Sequence, residues 1–108
     1  MILTIGMAGL GAMIGSVMGC VPGLHVYNLM GLVVVMAPPM PAPDAGLLWP
    51  VPLVAGMVVG YSMTSAVPAV FLAAPDESML FTVNPGQKYL MKGRGFDAVL
   101  TIGAGALI

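Results

Sequence analysis

The residues of this chain that could do chemistry are few, and they gather at three places. His25 and Asn28 follow directly on "CVPGLH", where Pro22 and Gly23 interrupt an apolar run. Ser62, Thr64 and Ser65 crowd into "GYSMTSAVP", just ahead of Pro68, and Asp76 and Glu77 sit together in "AAPDES". With one cysteine and one histidine, neither an intrachain disulfide nor a zinc or iron–sulfur ligand set can be built. There is no Walker-type phosphate loop and no nucleophile–base set, so the chain does not read as an enzyme and no cofactor is expected. What the first two places share is a proline that breaks an apolar helix.

A helix break at membrane depth is itself a chemical feature. Proline removes an N–H and clashes with the preceding turn. In hydrocarbon the backbone groups so freed cost several kcal/mol each unless protein or a water-filled cavity meets them. A new half-helix starting over residues 24–28 would offer free N–H groups and its positive dipole end, which suit a carboxylate. Discontinuous helices of this kind build the midplane sites of secondary transporters. On that reading Pro22, Gly23, Leu24, His25 and Asn28 contact a substrate; the alternative is a packing kink with no ligand. His25 is either a satisfied core histidine or a ligand or proton-sensitive group, since an ionisable side chain inside a membrane is a functional candidate. Tyr27 reads as packing.

The other two places also carry two readings each. The hydroxyls of Ser62, Thr64 and Ser65 either bond back to carbonyls freed by Pro68 or line a polar surface facing substrate. Asp76 can cap a helix, with Glu77 and Ser78 in its first turn, and this is the simpler reading. Alternatively Asp76 and Glu77 bind a coupling cation, Na⁺ or H⁺.

The elements that must position these residues are set by an unusual composition. Of 108 residues, 59% are hydrophobic and 6% charged, against about 25% charged in a soluble domain. Mean hydropathy is +1.05. So little charge cannot cover a water-facing surface, and the chain is expected in the cell membrane as an all-α, multi-pass protein. A net charge of −1 gives no footprint for nucleic acid. "MILTIGMAGLG" lacks the basic start of a signal peptide.

Residues 1–36 form one apolar stretch, about 54 Å long as a straight helix, too long for a hydrocarbon core of about 30 Å. It is expected as a broken spanning helix or a hairpin with "VPGLH" at its tip. The Pro-rich segment 37–46 reads as an outside loop. Residues 47–74 read as a Pro-interrupted span, opened by Trp49 at the interface and running over about 50–67 before Pro68. The polar stretch 75–97 holds all three cations, Lys88, Lys92 and Arg94, and is expected as a cytoplasmic loop. Residues 98–108 start an apolar segment too short to span, so the chain reads as part of a longer or split protein.

Gly11, Gly15, Gly19 and Gly23 fall at every fourth position, and Gly56 and Gly60 repeat the spacing on the second span. Residues four apart share a helix face, and glycine there lets a second helix come backbone to backbone. The ladder implies a partner helix rather than a substrate.

Taken in order, "GxxxGxxPGL", a Pro-rich connector, "AGMVVGYSMTSAVPAVFLAAP" and "NPGQKYLMKGRGFDAV" resemble the large permease subunit of tripartite tricarboxylate transporters. Within that family they resemble a divergent archaeal type with a similar "PGLH-YN" and "PDES". The resemblance covers 6–108 and corresponds to the N-terminal part of a longer permease. Gly19, Pro22, Gly23 and Leu24 match its early Pro-Gly-Leu segment, and Gly60, Tyr61 and Ser62 loosely match a Gly-Tyr-Gly-Gly-Ser-like stretch. Pro75, Asp76, Glu77 and Ser78 stand where the family has Pro-Gly-Thr-Pro. Two acids there would repel a polyanion unless a cation intervened. The resemblance implies an inverted-repeat transporter fold, ion-coupled uptake of carboxylates by alternating access, and three partners: the C-terminal part of the permease, a small membrane subunit and an extracytoplasmic solute-binding protein. The rival reading is a structural or assembly subunit whose glycine faces only drive helix association.

Overall fold

A computed structural model describes residues 1–36, 50–74 and 79–106. Among these residues all regular structure is helical: α1 (Ile2–Gly19), α2 (Val26–Met36), α3 (Pro50–Thr64), α4 (Ala66–Phe71), α5 (Leu80–Met91) and α6 (Gly95–Gly105). Two stretches are long and apolar enough to cross a membrane, Ile2–Gly19 and the nearly continuous Pro50–Phe71. Large apolar side chains cover the outside, with Ile2 88%, Val35 82% and Phe81 93% exposed. That surface is suited to lipid or protein, not to water.

The glycine ladder finds its partner within the chain. A Cβ on Gly11 would run into the Leu53 carbonyl, and one on Gly15 would lie 2.8 Å from the Met57 Cα. One on Gly19 would lie 2.9 Å from the Tyr61 carbonyl oxygen and collide with Thr64 Oγ1. The fit is reciprocal, since Gly56 and Gly60 of α3 would each place a Cβ 2.8 Å from a carbonyl carbon of α1, at Ala8 and Ala12. The paired positions advance in the same direction, so α1 and α3 run parallel. Ser16 Oγ adds a cross-helix hydrogen bond to the Gly60 carbonyl at 3.4 Å.

Gly23 does a different job. Its φ of +87° lies in the left-handed region, and nothing stands within 4 Å of where its Cβ would be. It turns the chain after Pro22. Beyond the turn, Leu29, Met30 and Val33 of α2 pack against a core of Val26, Leu53, Met57 and Tyr61. α2 therefore also packs against α3, on residues that α1 covers from another side.

The break before Pro68 also falls earlier than the proline itself. α3 ends at Thr64, Ser65 is a turn residue, and Pro68 lies in the first turn of α4. A proline clashes with the carbonyl four residues back, here Thr64, and is tolerated in a helix's opening turn. The expected span over 50–67 thus becomes two helices in near continuity. Trp49, the 37–46 connector and the acids Asp76 and Glu77 lie outside the described residues.

The expected loop over 75–97 is largely the helix α5, with Pro85 inside it. An interior proline costs a helix about 3 kcal/mol, and tertiary contacts offset that here. Gly86 lies against Val70, and Gln87 Nε2 donates to the Val70 carbonyl at 2.6 Å. α5 is joined to α6 by a tight turn in which Gly93 (φ +74°) donates to the Leu90 carbonyl and Arg94 N–H to that of Tyr89, each at 2.9 Å. This double closure is a Schellman turn. α6 runs antiparallel to α3 and α4: Gly95 faces the Phe71 ring, and a Cβ on Gly103 would meet the Met63 carbonyl at 3.2 Å. It begins at Gly95, three residues before the apolar segment expected from 98.

Candidate functional site

Between α3 and the α5–α6 hairpin lies a cavity of about 460 Å³, lined by Tyr61, Ser62, Ser65, Met79, Thr82, Ile102, Gly105 and Ala106. Four of those residues carry a hydroxyl and none carries a formal charge. Ser62 of α3 and the turn residue Ser65 line it from one side, Met79 and Thr82 at the start of α5 from another.

The three hydroxyls named from sequence do not act as one cluster. Ser62 Oγ donates to the Val58 carbonyl at 2.8 Å and Ser65 Oγ to the Ser62 carbonyl at 3.2 Å, and both residues line the cavity. Thr64 Oγ1 instead donates to the Gly60 carbonyl at 3.0 Å and sits against Gly19 of α1. Back-bonding is thus present at all three. The carbonyls that receive it belong to Val58, Gly60 and Ser62, upstream of the Thr64 carbonyl that Pro68 leaves without an N–H. Because these protons are engaged, Ser62 and Ser65 offer the cavity their oxygen lone pairs. Thr82 Oγ1, donating to the Met79 carbonyl at 2.7 Å, does the same.

The Pro22–Asn28 segment lies apart from this cavity, none of its residues being in the lining. Pro22, Gly23 and Leu24 are exposed on the turn, and Asn28 N–H donates to the His25 carbonyl at 3.1 Å in the opening turn of α2. His25 is half-buried and its ring stacks on that of Tyr27 at 5.8 Å between centroids. Tyr27, expected to pack, is 69% exposed beyond that stacking. The link between the two places is Thr64, which touches Gly19 just where α1 gives way to the turn.

Two hydroxyl-bearing residues of the cavity, Thr82 and Tyr61, are not among the site residues the sequence suggests. Thr82 was hidden because the segment around "NPG" read as a loop; the sequence signal for it is the hydroxyl one turn before Pro85. Tyr61 stands in "GYS" beside Ser62, and its burial at 8% exposure depends on α1 and α2 packing over α3.

Comparison with known proteins bears on this arrangement. The model of the tripartite tricarboxylate transporter TctA family matches residues 5–108. The chain belongs to the TctA family. It is a membrane protein of a transporter family, and the apolar outer surface and the two candidate spans accord with that. This TctA-family chain is also 27% identical over 99 residues to an uncharacterized protein of Methanocaldococcus jannaschii, an alignment covering 92% of the chain and 24% of that relative. The chain therefore spans about a quarter of the curated relative it matches. No solved structure matches it.

Proposed function

We propose that the chain is part of a multi-pass secondary-transporter permease that moves carboxylate-type solutes across the cell membrane by ion-coupled alternating access. The observation that carries this reading is the hydroxyl-lined cavity at the α3–α4 break in a chain of the TctA family. Its uncharged lining supplies no counter-charge for a carboxylate, so a coupling cation, Na⁺ or H⁺, would accompany the solute. The oxygen lone pairs of Ser62, Ser65 and Thr82 suit such a cation. Asp76 and Glu77, three and two residues before Met79 in the chain, remain candidates to bind it. The turn at Pro22–Asn28, reached through Thr64, is the second candidate surface for the solute carboxylate. An inverted repeat, the C-terminal part of the permease, a small membrane subunit and an extracytoplasmic solute-binding protein belong to the same proposal. The assembly-subunit reading draws less support, because the glycine faces it relied on are filled within the chain by α1 and α3.

The test is gradient-driven uptake of labelled carboxylates by proteoliposomes carrying the chain with the rest of the permease, under an imposed Na⁺ or pH gradient. Ser62→Ala combined with Ser65→Ala, at matched insertion, is expected to lower uptake about tenfold or more, the scale of lost hydrogen bonds to a charged group. Uptake unchanged in that variant would remove the cavity from the mechanism. Loss in Gly23→Leu but not in the serine pair would move the site to the turn.

A further inference from the structure

We propose that the end of the molecule formed by the α5–α6 turn binds anionic phospholipid, with the ammonium groups of Lys88 and Lys92 holding the headgroup phosphate. The charge pattern is the first support. All three cations of the chain lie on the last turn of α5 and the turn that follows it, and Arg94 is already engaged, its Nε donating to Asp97 Oδ2 at 2.7 Å and its guanidinium lying 5.6 Å from the Tyr89 ring centre. Asp97 is the only acid among the described residues, so within them Lys88 and Lys92 have no carboxylate to pair with. Both are exposed, and at four residues apart they share a face of the helix end. Nor are they needed to satisfy the carbonyls that end α5: the backbone N–H groups of Lys92, Gly93 and Arg94 take those of Tyr89 and Leu90.

Position is the second support. The candidate span Pro50–Phe71 is about 33 Å long, which matches a hydrocarbon core of about 30 Å. Its last residue, Phe71, lies against Gly95, where an added Cβ would be 3.0 Å from the ring. The turn therefore stands at the end of the span, at the depth of the headgroups. Around it Leu72, Met91 and Phe96 are exposed, at 62%, 80% and 70%. Large apolar side chains, a tyrosine and two unpaired lysines at one level are the composition of a bilayer interface, where lysines reach up to phosphate from apolar stems. Charge complementarity selects an anionic lipid over a zwitterionic one.

The experiment is native mass spectrometry of the purified chain in detergent, titrated with phosphatidylglycerol or with phosphatidylcholine of the same acyl chains. The wild-type chain is expected to retain phosphatidylglycerol preferentially. Each lysine near an anionic surface strengthens binding about fivefold, so K88Q/K92Q should lose roughly 25-fold in phosphatidylglycerol affinity while K88R/K92R keeps it. Free glycerol phosphate should not displace the lipid. Equal retention of the two lipids by wild type, an undiminished preference in K88Q/K92Q, or displacement by glycerol phosphate would each overturn the proposal. Far-UV circular dichroism checks that the glutamine variant is folded; should it not be, the wild-type lipid ratio and the arginine variant decide. The readout is lipid occupancy, so it stands apart from whether the chain transports carboxylates.

Discussion

The continuous pair α3–α4 is gripped on its two halves in opposite ways. Its first half meets α1 backbone to backbone, with Gly11, Gly15 and Gly19 on one side and Gly56 and Gly60 on the other leaving no room for a single added carbon. Its second half meets the α5–α6 hairpin chiefly through side chains: Val70 against Gly86, Phe71 against Gly95, and one polar tie from Gln87. A backbone contact cannot yield without moving a whole helix, whereas a side-chain contact yields by rotation. The first half is built as a fixed pair of spans. The second can adjust, and the cavity lies on that side of α3.

The sharpest way to break this comparison is Gly15→Leu. The new side chain would strike the Met57 backbone, and helix separation would also cost the Ser16–Gly60 bond. Overpacking in a rigid contact costs 1–3 kcal/mol or more, and here about 3 kcal/mol or more is expected. Detergent-to-SDS unfolding followed by circular dichroism measures it; a loss below about 0.5 kcal/mol would mean the spans are not in backbone contact. The polar tie of the second half should matter less. Gln87→Leu keeps the bulk but leaves the Val70 carbonyl without its donor, an expected loss of about 1–2 kcal/mol in the same assay.

How much of this was legible beforehand depends on how local each cause is. The α1–α3 contact could be read from four-residue glycine spacing on both spans, because a helix face is fixed by period alone. The turn at Gly23 was announced by Pro22 beside it, but that the ladder's partner lay within the chain could not be read, since it depends on how α1 and α3 come together. Pro68 announced a break, but its location at Ser65 follows from the clash four residues upstream. Pro85 misled: local chemistry spells a turn at "NPG", and only the contacts of Gly86 and Gln87 with Val70 hold those residues in α5. The site divides the same way. Ser62 and Ser65 were visible as hydroxyls before a break, while Thr82 joins them only through the packing of α5. The family, by contrast, was carried by motif order along the whole chain and needed no packing at all.

The smallest effect is the most telling about the difference between the halves. Gly86→Ala is the same chemical change as Gly56→Ala, one methyl on a buried helical glycine. At Gly56 the methyl would collide with the Ala8 carbonyl, and α1 would have to move. At Gly86 it would lie 3.1 Å from Val70 Cγ2 and 3.6 Å from Ile102 Cδ1, both terminal methyl groups that shift by a few tenths of an ångström. Against that strain stands the gain in helix propensity, about 1 kcal/mol for alanine over glycine within a helix. The two nearly cancel, so Gly86→Ala is expected to change stability by less than about 1 kcal/mol in either direction. Val70 is fully buried, so its freedom to move is the point at issue. A loss above 2 kcal/mol would mean that α4 and α5 are as tightly locked as the two spans, and the adjustable half would have to be sought elsewhere. A near-neutral result beside a large loss at Gly56 would show that the rigidity of this chain is confined to α1 and the part of α3 it covers.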